Sequence, residues 1–83
     1  MKPGRIIDAT ITRVVEYGAF ALIDGTDVEG LVHISEISDV PGYRPEHLVA
    51  PGERVVAKVL NVDKKRRRIG LSIRQAVMID GLD

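Results

Sequence analysis

Cysteine is absent from this 83-residue chain, and only Tyr17, Phe20 and Tyr43 are aromatic. The first absence excludes disulfide staples and thiolate metal sites. The second means that any core is built from aliphatic side chains, which supply most of the 45% hydrophobic content. No apolar run approaches the roughly 18 residues that a membrane-spanning helix needs. The opening Met1-Lys2-Pro3-Gly4 lacks the apolar stretch of a signal peptide, so the expected setting is the cytoplasm, with no membrane partner. Net charge is also missing: twelve basic side chains balance twelve acidic ones. A chain this short buries only about 60–65% of the surface its unfolded form exposes, which implies one compact domain.

The zero net charge hides a strong polarity along the chain. Residues 1–53 carry four basic and nine acidic side chains, a net of −5, whereas residues 54–74 carry eight basic and one acidic, a net of +7. The tail contributes −2. A neutral but polarised chain can present a strongly basic face, so an anionic partner is not excluded.

Hydrophobic alternation organises the rest. Over residues 4–15, Ile7, Ala9 and Ile11 fall on one side of a strand and Asp8, Thr10 and Thr12 on the other. Glu16-Tyr17-Gly18 breaks the pattern, residues 19–23 resume it, and Asp24-Gly25 reads as a hairpin turn into a third strand over 28–34. Residues 35–51, with Pro41, Pro45 and Pro51, read as a crossover loop with short helical pieces at 34–39 and 45–49. Ile37, Leu48 and Val49 in it would plug one barrel end, and Tyr43 would pack within the loop. A fourth strand over 53–62 puts Val55, Ala57 and Val59 inward and Lys58 outward. After the charged turn 63–67, a fifth strand over 68–74 puts Ile69, Leu71 and Ile73 inward, with Arg68, Gly70, Ser72 and Arg74 outward. Residues 1–74 thus form the domain, and 75–83 a tail that extends a short helix or frays. The expected class is all-β: three strands, a helix-bearing crossover, then two strands is the order of a five-stranded Greek-key OB-fold barrel. Such barrels commonly bind oligonucleotides around strands 2 and 3.

Four blocks sharpen this reading: Glu16-Tyr17-Gly18-Ala19-Phe20; Glu29-Gly30-Leu31-Val32-His33-Ile34-Ser35; Pro51-Gly52 followed by Val55 to Asp63; and Arg68-Ile69-Gly70-Leu71-Ser72-Ile73-Arg74. In this order and spacing they resemble the S1 RNA-binding domain family, most closely the copies in bacterial ribosomal protein S1 and polynucleotide phosphorylase. The resemblance implies RNA contacts from Tyr17, Phe20, His33, Asp63 and Arg68. Leu22 departs from the polar residue usual at its place, and Gly70 leaves a hole where a longer side chain is common.

The residues support that implication by their own pattern. If Ala19, Ala21 and Ile23 face inward, Phe20 faces out, and an exposed strand Phe suits a stacked base. A reversed register, with Phe20 and Leu22 buried, is the plainer alternative. His33 would sit beside Phe20 on the next strand, where an imidazole stacks on a base or donates to phosphate. Lys64-Lys65-Arg66-Arg67-Arg68 is the densest charge in the chain; charge runs are usually solvated turns. Beside a groove, however, Lys58, Lys64, Lys65, Arg67 and Arg68 would follow a phosphate backbone. Asp63 would orient Arg68 by a salt bridge or accept from a ribose 2′-OH or base amino group.

No nucleophile–base pair, metal cluster or phosphate loop is present to support an enzyme, and no cofactor is expected. Ser35 lies near His33 without an acid to orient the ring, and His47 has no candidate partner. The expected function is a monomeric, non-enzymatic module for single-stranded RNA with weak sequence preference, in a translation or RNA-metabolism protein whose partners include the ribosome or mRNA. The competing expectation is a protein-docking OB domain that uses Phe20 and Leu22 as an apolar patch.

Overall fold

A computed structural model of the chain describes residues 1–78. Five strands and three short helices follow in the order β1 (Ile6–Val15), β2 (Gly18–Ile23), β3 (Glu29–His33), α1 (Ile34–Ile37), α2 (Pro45–Leu48), β4 (Arg54–Asp63), β5 (Arg68–Ser72) and α3 (Ile73–Met78). The strands close into a barrel in the order β1-β2-β3-β5-β4, with β4 returning to pair with β1. Every pairing is antiparallel except β3 with β5, which the crossover makes parallel. This is the expected five-stranded OB-fold.

Alternation decides the core. Ala9 and Ile11 from β1, Ala19, Ala21 and Ile23 from β2, Val32 from β3, Ala57 and Val59 from β4, and Ile69 and Leu71 from β5 are buried together. The alanines fit the narrow interior of a small barrel, where large and small side chains alternate to fill the taper. Gly30 also faces inward, and a Cβ there would come within 2.6 Å of Leu71 Cδ1. The smallest residue therefore lets Leu71 fill the barrel centre. Val49 is buried and Ile37 packs on the core, so the crossover closes one end as expected, with Leu48 half-buried.

Two β-bulges modify the simple alternation. In β1 the register shifts between Ile11 and Arg13, and in β4 between Val59 and Asn61. Each bulge inserts one residue, so the inward positions move from Ile11 to Val14 and from Val59 to Val62. The consequence is on the outer face, where Arg13 and Asn61 come to lie.

Three expectations need correction. Ser72 is fully buried instead of outward-facing, because its hydroxyl donates to Glu36 Oε1 at 2.7 Å under the first and third helices. The fifth strand stops there: Ile73 and Arg74 begin α3, and Gln75 donates its backbone N–H to Ser72 Oγ at 2.9 Å. Tyr43 does not pack within its loop but is 51% exposed. The expected fraying of the tail beyond Met78 lies outside the described residues. Among the described residues, no helix is long and apolar enough to cross a membrane.

Candidate nucleic-acid interface

The strand registers put one row of outward positions straight across the sheet. Arg13 on β1 pairs with Phe20 on β2, Phe20 with Leu31 on β3, Leu31 with Gly70 on β5, and Gly70 with Asn61 on β4. Successive residues of a strand face opposite sides, so these five share the outer face. From Phe20 onward the row runs through an open groove bordered at one end by Tyr17 and His33 and at the other by the turn after β4. Phe20, Leu31, Asn61 and Gly70 line the groove. Gly70 does not leave the expected hole, because the Asn61 amide lies over it.

Phe20 is outward and half-buried, so the reversed register is excluded. The Arg13 guanidinium carbon stands 4.4 Å from the ring centroid, within cation–π range. Leu22, 36% exposed, continues the apolar floor along β2, and Tyr17, 51% exposed, marks its edge. Together they give a low apolar shelf, with Arg13 against Phe20.

His33 is held by its own turn. Its Nδ1 accepts from the Ser35 backbone N–H at 3.2 Å and lies 2.9 Å from Ser35 Oγ. A nitrogen that accepts that N–H carries no proton, so the neutral ring keeps its hydrogen on Nε2 as a free donor. The turn itself is anchored from behind. Glu36 Oε1 accepts from Ser72 Oγ and from Gln75 Nε2 at 3.0 Å, and Arg74 donates from Nε to the Ser35 carbonyl at 3.1 Å. Arg74 also forms an ion pair with Glu36 at 3.5 Å, which offsets one of the carboxylates lining the groove.

The basic turn supplies the opposite charge. Lys64, Arg66, Arg67 and Arg68 line the groove. Asp63 pairs with Arg68 in the β4–β5 register, yet its carboxylate does not form the expected salt bridge there. Asp63 Oδ1 instead accepts from the Arg66 backbone N–H at 3.1 Å, and Oδ2 lies 4.0 Å from Arg66 Nε. Local turn geometry wins because a carboxylate that opens a turn reaches backbone N–H groups a few residues on at little entropic cost. Arg68 is thereby left available to an anion. Arg67 closes the turn with φ of 55°, a left-handed conformation that L side chains seldom adopt.

The expected binding residues therefore fall into two groups. Tyr17, Phe20, His33, Asp63, Lys64, Arg67 and Arg68 surround one groove. Lys65 and Lys58 do not line it: Lys58 lies half-buried between Ile6 of β1 and Ser72 of β5. Arg13 lies outside the matched sequence blocks, and Leu31 and Asn61, though inside them, were not among the expected binding residues. A phase jump was nevertheless present: apolar positions 7, 9 and 11 give way to 14, and 55, 57 and 59 to 62, which marks both bulges.

Comparison with known proteins agrees with this architecture. The family model described as S1 RNA binding domain matches residues 1–74. Small ribosomal subunit protein bS1 of Mycobacterium leprae is 41% identical over 73 residues, covering 88% of this chain and 15% of that protein. Its homolog in Bacillus subtilis is 42% identical over 76 residues, covering 90% of this chain and 19% of that protein. The chain thus spans less than a fifth of the length of these two relatives. Among solved structures, GSP13 from Bacillus subtilis superposes with a TM-score of 0.83 at 31% identity, covering all of this chain and 62% of the other. A chain in the crystal structure of the a/eIF2alpha–aDim2p–rRNA complex from Pyrococcus horikoshii gives 0.85 at 34%, covering 90% and 45%.

Proposed function

The chain belongs to the S1 RNA-binding domain family, and on that premise we propose that it is a non-enzymatic module that binds single-stranded RNA in the groove between Phe20 and the basic turn. The observation that carries this reading is the outward Phe20, on an apolar shelf facing Lys64, Arg67 and Arg68 across one groove. Unpaired bases stack on Phe20 and Tyr17, at about 1–3 kcal/mol per stacked base, with little dependence on sequence. His33 donates from Nε2 to a phosphate or ribose oxygen, and the cations follow the backbone. Asp63 contributes by holding the turn in shape. Lys58 and Lys65 have secondary parts at most, as long-range charges.

A groove this short holds only a few nucleotides, so affinity is modest for one copy. In a longer cytoplasmic protein of the kind its relatives represent, several linked copies would multiply that affinity through effective concentration. Work at the small ribosomal subunit is the setting these relatives suggest, with mRNA as the RNA on this reading. The isolated domain acts as a monomer on this reading.

Exposure of Leu22 beside Phe20 favours a second reading, in which the same shelf docks a protein. An amide-shift titration with a short single-stranded RNA separates them. Shifts should gather at Tyr17–Leu22, Leu31–His33 and Asp63–Arg68. A null titration, or shifts confined to the exposed loop around Val40 and Tyr43, would remove the RNA site from this groove.

A further inference from the structure

Asn61 is the polar group on the floor of the groove that nothing so far has used. The β4 bulge between Val59 and Asn61 aligns it with Gly70 on the outer row. Its side chain lies over Gly70, where a Cβ would fall 2.8 Å from Nδ2 and 3.0 Å from Oδ1. The missing side chain of Gly70 is thus the seat of the amide. Among the described residues the Asn61 side chain takes part in no hydrogen bond, so its donors and acceptor are free.

We infer that Asn61 reads the edge of one RNA base and gives the module a several-fold preference for adenine at that nucleotide. The inference rests on the RNA-binding reading above and adds to it a residue that sets specificity. Two points favour a base over the backbone as the target. The amide lies in the same row as Leu31 and Phe20, the floor on which base planes rest, whereas the cations stand at the turn that borders it. A carboxamide also presents a donor beside an acceptor. Every base answers this pattern on its Watson–Crick edge, but only adenine answers it on the Hoogsteen edge as well, N6 with N7, so an exposed adenine has one more way to be read.

The nucleotide concerned is not the one stacked on Phe20. Asn61 and Phe20 are three strand positions apart, roughly 14 Å at the usual strand spacing. That separation is more than one base spans. The RNA therefore crosses the strands, with one base stacked at Phe20 and another read at Asn61. Contributions from sites so far apart should add.

The test measures the affinities of short oligo(A), oligo(C) and oligo(U) at fixed salt for the parent chain, Asn61→Ala and Gly70→Ala. The parent should favour oligo(A) over oligo(U), and Asn61→Ala should shrink that ratio by about five- to tenfold, the lower part of the range for one bidentate base contact. Using the change in the ratio cancels the intrinsic stacking difference between the oligomers. Gly70→Ala keeps the amide but pushes it aside, and because a flexible side-chain end gives way, the fold survives while the ratio falls in the same way. Phe20→Ala should lower all three affinities and leave the ratio intact. Equal weakening of all three oligomers by Asn61→Ala would mean a sugar or phosphate contact and would overturn base reading, as would no change. A parent chain that binds none of the oligomers would remove the RNA-binding reading itself.

Discussion

Phe20 and Arg67 are where individual residues depart from what a barrel alone would select. An outward, half-buried Phe recovers only part of its burial on folding, against Arg13 and its cross-strand neighbour Leu31, so the open part of its ring is left for a ligand plane. Phe20→Ala should lower the thermal midpoint only modestly, through its partial burial, while costing about 1–3 kcal/mol in RNA affinity, the loss of one stacked base. Its affinity should keep the same salt dependence, since no phosphate contact is removed. A folded Phe20→Ala protein that binds RNA at full strength would promote the docking reading. Arg67 carries a different signature, because its left-handed φ of 55° is disfavoured by about 1–2 kcal/mol for a side chain with a Cβ. Gly would relieve that strain, offset by roughly 0.5–1 kcal/mol of added unfolded-state freedom. Strain held at a groove-lining residue is a pointer to function. Arg67→Gly should therefore unfold at the same temperature or slightly higher, yet bind RNA more weakly and with a shallower salt slope. A clear loss of stability would show that the arginine side chain serves the turn instead.

Strands were readable in the sequence because β-branched and alanine positions alternate against polar ones, and the side of Phe20 followed directly from Ala19, Ala21 and Ile23. Connections between elements were less readable. Ser72 looked outward because its partner, Glu36, lies 36 positions away and is brought to it only by the crossover. Asp63 looked like a partner for Arg68 because strand pairing puts them opposite, but the nearer Arg66 N–H takes the carboxylate first. Arg13 and Asn61 were hidden by bulges, since each inserted residue flips the faces that follow. One link between elements is open to a pH test. Arg54 of β4 grips Asp24, in the turn after β2, through Nη1 at 2.8 Å and Nη2 at 2.6 Å, and also reaches Thr10 of β1 at 3.0 Å. The hydrogen bonds from Arg54, aided by its charge, hold the Asp24 carboxyl below its ordinary value despite some desolvation. A carboxylate depressed on folding stabilises above its unfolded pKa and loses that contribution as pH falls through its folded pKa. Asp24→Asn should therefore lower the melting temperature at about pH 7, and the gap to the parent should narrow as pH falls below the ordinary carboxylate range and close once Asp24 is protonated in the folded protein. A gap that persists in acid would assign the effect to shape or hydrogen bonding and not to charge.

For the molecule as a whole, the arrangement of charge matters more than its sum. An 83-residue chain with twelve cations and twelve anions has no net charge to draw in a polyanion, yet its cations are concentrated after residue 53. Four of them, Lys64 and Arg66 to Arg68, line the groove beside the apolar shelf. The two halves of the surface make separable demands on a ligand. The turn asks only for phosphates, which duplex and single strand both supply. The shelf asks for exposed base planes, which a duplex withholds because its bases are paired and stacked on one another. If all four cations meet phosphates, log K should fall with log salt at a slope near −3, at roughly −0.7 per contact on a single strand. Competition at fixed salt should then rank single-stranded RNA above a duplex of equal length, and raising the salt should widen the preference, because each phosphate contact loses more on a duplex, roughly −0.9 against −0.7 in log–log slope, while stacking is largely untouched. The opposite trend, a duplex that competes equally and a preference that vanishes as salt rises, would mean that charge alone holds the RNA and that the Phe20 shelf faces some other partner.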